Sequence, residues 1–180
     1  MSNLHTVRQS PHAVPETLAV LAVEALGFES LRRFFGRLGL TLARVPKGQP
    51  IPGSFWGDEE AGLIGDTLYV RDDTPVHSAM HEAGHYVCMD QTRRDALHTN
   101  AGGTYDEENA VCYWQILASE HLDGMSQARM CADMDRWGYT FRLGSAAAWF
   151  AEDAEDAHAW LVAAGLIEPE SGALNIGVRR

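Results

Sequence analysis

A chain of 180 residues, 46% hydrophobic and 22% charged, is long enough to bury a proper core and has the composition of an ordinary soluble globular protein. Its formal net charge of −11 would repel a phosphate backbone, which disfavours nucleic acid as a partner. Three cysteines, Cys88, Cys112 and Cys131, with no CxxC pair, argue against a disulfide framework and for a reducing, cytoplasmic setting. No apolar run approaches the roughly 20 residues of a membrane span, and the first residues do not read as a secretory leader.

Residues 1–14 read as a loose polar N-terminus and 15–180 as a single domain, helical in its last part from about 124 to 180. Pro15-Glu16 can open a helix, and LAVLAVEALGF (18–28) is helical in length and apolar on most sides. Glu29 to Leu40 continues as a second helix with Gly39 as its stop. TLARVP (41–46) predicts a strand. The stretch 47–62 is rich in Gly and Pro and reads as turns. LIGDTLYV (63–70) predicts a strand pair around Gly65-Asp66.

Thr74 and Pro75 mark the next helix start, as N-cap and first helical residue, and that helix is expected to end between Asp90 and Arg94. A loop over 98–105 precedes a helix from Tyr105 to Leu122. SQARMCADMDRW (126–137) and Ser145 to Ala164 complete the helices. The acidic stretch AEDAEDAHAW (151–160) reads as a solvated face. The pattern is an α+β chain, mainly helical, with a few strands placed just before a histidine-rich helix.

That helix carries the chemistry. In TPVHSAMHEAGHYV (74–87), His81 and His85 lie on one face about 6 Å apart along the axis. Two imidazoles so spaced converge on one ion at about 2.0–2.1 Å. Glu82 is offset by about 100°, which suits a base facing a water on the metal rather than a ligand. HExxH therefore packs two ligands and a base into one rigid turn. Ala79, Met80, Ala83 and Val87 form an apolar face opposite, and Gly84 lets another element approach closely. His77 shares the histidine face near the helix N-terminus and reads as a supporting residue, with an alternative ligand role open. Cys88 reads as a small buried apolar residue.

A zinc site needs a third protein ligand. In TYDEENAVCYWQILA, Ala110, Val111, Trp114, Leu117 and Ala118 make one apolar face, and Glu107 projects onto it. Glu108 falls on the polar side, with Gln115 and Ser119. A carboxylate on an apolar face is costly unless it is paired or bound to metal, which points to Glu107 as the ligand. The same residue closes a Thr104-x-x-Glu107 capping box, the competing structural role. His98, Tyr105 and Tyr113 are candidates for stabilising an oxyanion near that ligand.

HExxH followed 22 residues after His85 by a helical glutamate resembles the gluzincin type of zincin metallopeptidases. More narrowly, GLIGDTLYVRDDTPVHSAMHEAGHYV with EENAVCYWQILASE resembles the ImmA/IrrE family over about residues 62–120. The resemblance implies a zincin-like core with a small sheet packed on the HExxH helix. It implies Zn2+ held by His81, His85 and Glu107, and Glu82 as general base. The implied activity is hydrolysis of a peptide or protein amide bond by a cytoplasmic enzyme, with no nucleic acid or membrane partner. A regulatory or interaction protein that keeps the fold without catalysis is the alternative.

Overall fold

The computed structural model describes residues 19–179. The expected helix start at Pro15-Glu16 and the loose N-terminus fall outside them. The architecture is α+β, dominated by helices around one three-stranded sheet. In chain order the elements are α1 (Val23–Leu26), α2 (Phe28–Arg37), β1 (Thr41–Arg44), β2 (Gly62–Ile64), β3 (Thr67–Val70), α3 (Val76–Cys88) and α4 (Gln91–Asp95). Then come α5 (Tyr105–Ala118), α6 (Gln127–Trp137), α7 (Ala146–Glu152) and α8 (Glu155–Ala163).

The sheet has the order β1-β3-β2. β2 and β3 form the expected hairpin, antiparallel with Leu63 opposite Leu68, while β1 lies parallel to β3 with Thr41 opposite Thr67. Gly65 at the hairpin turn has φ 57°, a left-handed conformation that glycine adopts without steric cost. The outer side of β2 is not free. Leu63 N–H donates to Gly53 O, and Thr99 N–H donates to Leu63 O. A Cβ on Gly62 would stand 2.0 Å from Pro52 O, so the 50–54 turn can cover the strand only because that residue is glycine.

Several boundaries differ from the sequence reading, the main ones for local reasons. The apolar run 18–28 yields only α1 within the described residues. Leu21 and Val23 spend their backbone groups on the entry to α3: Val23 N–H donates to Thr74 O, and Val76 N–H to Leu21 O. Gly27, at φ 94°, then separates α1 from α2. Thr74 is not the N-cap of α3; Pro75 is, and the Thr74 hydroxyl instead accepts from Arg71 N–H. The expected single helix over 145–164 breaks at Asp153, whose backbone leaves the helical region (φ −147°) and whose carboxylate is gripped by Arg142. α5 likewise ends at Ala118 and tightens into a 3-10 turn over Ser119–His121.

α5 is the central helix, packed on by α3, α6 and α8, while β2 and β3 pack on α3. Val76, Ala79, Met80, Ala83 and Val87 of α3 are fully buried, as are Leu63, Leu68 and Val70 of the sheet and Val111 and Trp114 of α5. α3 and α5 approach closely at Gly84, where a Cβ would lie 2.8 Å from Val111 Cγ1 and 3.2 Å from Trp114 Cε3. Gly84→Val is expected to destabilise the fold by about 1–3 kcal/mol through overpacking. Because it pushes apart the two helices that meet at the histidines, zinc affinity should fall with it. Denaturant unfolding with a parallel zinc titration checks both; a Gly84→Val protein of unchanged stability would mean the helices are not in contact there.

Candidate metal centre

His81 and His85, one turn apart on α3, direct their Nε2 atoms to within 3.2 Å of each other. From α5, the Glu108 carboxylate comes to 3.6 Å from His81 Nε2 and 3.5 Å from His85 Nε2. His81, His85 and Glu108 are the His/Cys/Asp/Glu group among the described residues whose donor atoms gather closely enough to hold a metal ion. Donors bound to one ion at about 2.0–2.1 Å and tetrahedral angles stand about 3.3 Å apart. The observed separations bracket that value, so the residues fit zinc in ligand type and in spacing.

The donor chemistry fits as well. Burial pushes the His85 imidazole down to about 3, with His81 and Arg93 nearby adding to the effect, and lowers His81 too. Both rings are therefore neutral at pH 7 and carry a lone pair. Gln115, fully buried on α5, turns its Nε2 toward His77 O and Met130 Sδ, which leaves Oε1 facing His81 Nδ1 at 2.8 Å. That contact needs a proton on Nδ1, so Nε2 of His81 is the free acceptor. A ligating histidine usually donates its other N–H in this way. His85 lacks the equivalent support, since its buried Nδ1 has no hydrogen-bond partner among the described residues.

Gln115→Leu keeps the volume and removes the acceptor. It should weaken zinc by about 10–100-fold, the usual cost of losing such an orienting partner, without unfolding the chain. Competition against a chromogenic chelator reads this directly, and unchanged affinity would mean that Gln115 does not orient His81.

Glu107 stands elsewhere. Its carboxylate is held by both Arg93 guanidinium nitrogens, at 2.7 and 2.8 Å, and Arg93 also donates to Ala101 O at 2.7 Å. The Thr104 hydroxyl accepts from Glu107 N–H at 3.3 Å, which is half of the expected capping box; the carboxylate goes to Arg93 rather than back to Thr104. Glu107 is indeed buried on an apolar face, 5% exposed. What compensates it is an arginine from α4, not the histidine pair. The Arg93–Glu107 clamp fixes the 99–103 loop, which forms one wall of the cleft in front of the histidines.

That cleft has a volume of about 770 Å³. Glu82 lines it beside His81, and burial raises its carboxyl to about 8, with Glu108 and Glu60 adding repulsion. His77 also lines the cleft, fully buried, against the rings of Trp137 and Tyr139. The other three candidates do not line it. His98 is exposed, with its backbone beside Ile64 and its Nδ1 near the Thr99 hydroxyl. Tyr105 is 80% exposed and lines a separate, smaller hollow with Phe141 and Trp149. Tyr113 packs against Phe150 and Trp149. A helix turns 100° per residue, so Tyr113, five residues on, points about 140° away from Glu108. Tyr105 is only about 60° away but sits at the exposed first position of α5.

Residues that the sequence reading did not single out complete the site: Glu108, Gln115, Tyr139 and Glu60. Tyr139 follows Gly138, the left-handed C-cap of α6, and lays its ring edge-on to His81 at 5.7 Å between centroids. A readable signal existed for the first two. Glu108, Gln115 and Ser119 recur at helical spacing along one stripe of α5, and that polar stripe is the one that meets α3. Comparison of the chain with protein-family models, curated proteins and solved structures finds no match.

Proposed function

We propose that this chain is a zinc-dependent, metallopeptidase-like hydrolase built on a zincin-like core of gluzincin type, acting on a peptide or protein amide bond. The observation that carries the reading is the triangle of His81, His85 and Glu108 donors, 3.2–3.6 Å apart, opening on a cleft that also holds the Glu82 carboxylate. Three protein donors with an open side are the mark of a catalytic rather than a structural zinc site. The small sheet packed on the HExxH helix, and the glutamate supplied by the next long helix, agree with the same core.

His81, His85 and Glu108 would hold the ion. When bound, zinc supplies Lewis-acid polarisation of the carbonyl and makes water acidic enough to lose a proton near neutral pH. Glu82, kept ionised despite its burial by a positive ion held there, would take the proton of the attacking water as the water oxygen bonds to the carbonyl carbon, and would return it to the amine nitrogen as the C–N bond breaks. Gln115 holds the His81 ring in the tautomer that presents Nε2. The Arg93–Glu107 clamp keeps the 99–103 wall in place. Burial holds the Tyr139 hydroxyl well above its ordinary pKa, so it keeps its proton and can donate to a developing oxyanion, the role expected of His98, Tyr105 or Tyr113.

The test is metal analysis of the purified full chain, with hydrolysis of a pool of quenched fluorescent peptides. One zinc per chain is expected, with cleavage that a chelator abolishes and added zinc restores. A chain that takes up no zinc would end the reading. A chain that holds zinc and cleaves no peptide would move it to the regulatory alternative.

A further inference from the structure

The side of the cleft away from Glu108 has its own chemistry. Glu60 lines it, at the end of the 47–61 turns, and is anchored next to α3 because Ala61 N–H donates to the Ser78 hydroxyl. Trp137 Nε1–H donates to Glu60 Oε1 at 3.0 Å. The Trp137 ring in turn lies 5.0 Å from the His77 ring. Glu60 and Trp137 thus line this side of the cleft, and His77, a helical turn before His81, is buried against the Trp137 ring.

Two features of that side are incompletely satisfied among the described residues. Glu60 has no cation beside it, and no Lys or Arg lines the cleft among the described residues. His77 is 0% exposed, with neither ring nitrogen hydrogen-bonded. A buried imidazole without a partner costs free energy, so it marks a place where a hydrogen-bonding group is expected from outside. At the mouth, Trp56 is 77% exposed and sets its ring edge-on to Phe55 at 5.0 Å. Large aromatics so exposed at a cleft entrance are suited to binding. The covered outer side of β2 leaves little room for a substrate to add as a strand there, so side chains of the cleft carry recognition.

We infer that this side of the cleft receives a basic side chain of the peptide substrate, arginine in particular, between the Glu60 carboxylate and the Trp56 ring. The assignment of the ligand as a peptide rests on the hydrolase reading. Arginine fits because its planar guanidinium offers five N–H donors and stacks on aromatic faces. It can satisfy the remaining Glu60 lone pairs. An acidic side chain would meet Glu60, Glu82 and Glu108 and be repelled.

The experiment uses the zinc-loaded full chain carrying Glu82→Gln, so that nothing is cleaved. The probes are two fluorescein-labelled decapeptides of alanine and glycine, one with a central arginine and one with citrulline, its neutral isostere. Fluorescence anisotropy should show the arginine peptide binding about tenfold tighter, as expected for a charge-assisted hydrogen bond. Glu60→Gln, which keeps the acceptor for Trp137, should erase the difference, and Trp56→Ala should reduce it. Equal binding of the two peptides, no binding of either, or a preference that survives Glu60→Gln overturns the inference. Hydrolysis by the chain with Glu82 intact is scored separately. An arginine preference without any hydrolysis sinks the proposed reaction and upholds the subsite; hydrolysis without the preference does the opposite.

Discussion

Glu108→Ala is expected to abolish stoichiometric zinc binding, while Glu107→Ala, one residue away, keeps it. Zinc binding to a four-ligand protein site is worth about 10–16 kcal/mol, so one ligand accounts for roughly 3–4 kcal/mol, or about 10²–10³ in affinity. The Glu108 carboxylate stands 3.5–3.6 Å from both histidine Nε2 atoms and is 45% exposed in its side chain, so its removal should leave stability nearly unchanged. Glu107→Ala does the reverse. It strips the bidentate partner from Arg93, whose side chain is 31% exposed against 7% for Glu107. Breaking a fully buried pair costs about 3–5 kcal/mol, and the wetter arginine brings this to about 2–3 kcal/mol. That is a fall of about 4–12 °C in Tm for a domain of this size. Metal content by elemental analysis and a thermal melt on both variants separate the two roles. The opposite pattern, with metal lost from Glu107→Ala and kept by Glu108→Ala, would restore Glu107 as the ligand.

The second large effect is on turnover. Glu82→Gln should lower kcat by about 10²–10⁴, the range for a positioned proton-transfer group, and leave zinc at one equivalent. Glutamine keeps the shape of the side chain and loses the ability to accept a proton. Zinc should be retained because Glu82 is not among the clustered donors. Kinetics on a cleavable peptide together with metal analysis of the same preparation read both quantities. Turnover at the unmutated rate would show that Glu82 is not the base. A loss of zinc along with activity would show that it is part of the metal's coordination.

That Glu108 rather than Glu107 stands beside the histidines has a definite physical source. Helical periodicity separates faces, but it does not say what each face meets. α5 is packed on by three other helices, so its faces are buried nearly all round: Ala110 and Trp114 are 0% exposed, and so are Gln115 and Ser119. The rule that a carboxylate on an apolar face needs a partner was sound for Glu107. The partner is Arg93, which lies 14 residues earlier in the chain and is brought there by the fold of α4. The polar stripe through Glu108 and Gln115 was visible in the sequence, and its direction was not.

What the sequence by itself determined is local. The HExxH turn, the apolar face of Ala79, Met80, Ala83 and Val87, the close approach at Gly84, the β2–β3 hairpin and the mainly helical α+β class follow from spacing, turn chemistry and side-chain size over a few residues. These depend on interactions within one element or its immediate neighbours, which periodicity reports. Tertiary structure alone decided which acid faces the histidines, which tyrosine lines the cleft, and that Glu60 and His77 both meet Trp137. Those are questions of how elements far apart in sequence are rotated against one another. A rotation of 100°, one residue of helix, is enough to exchange Glu107 for Glu108.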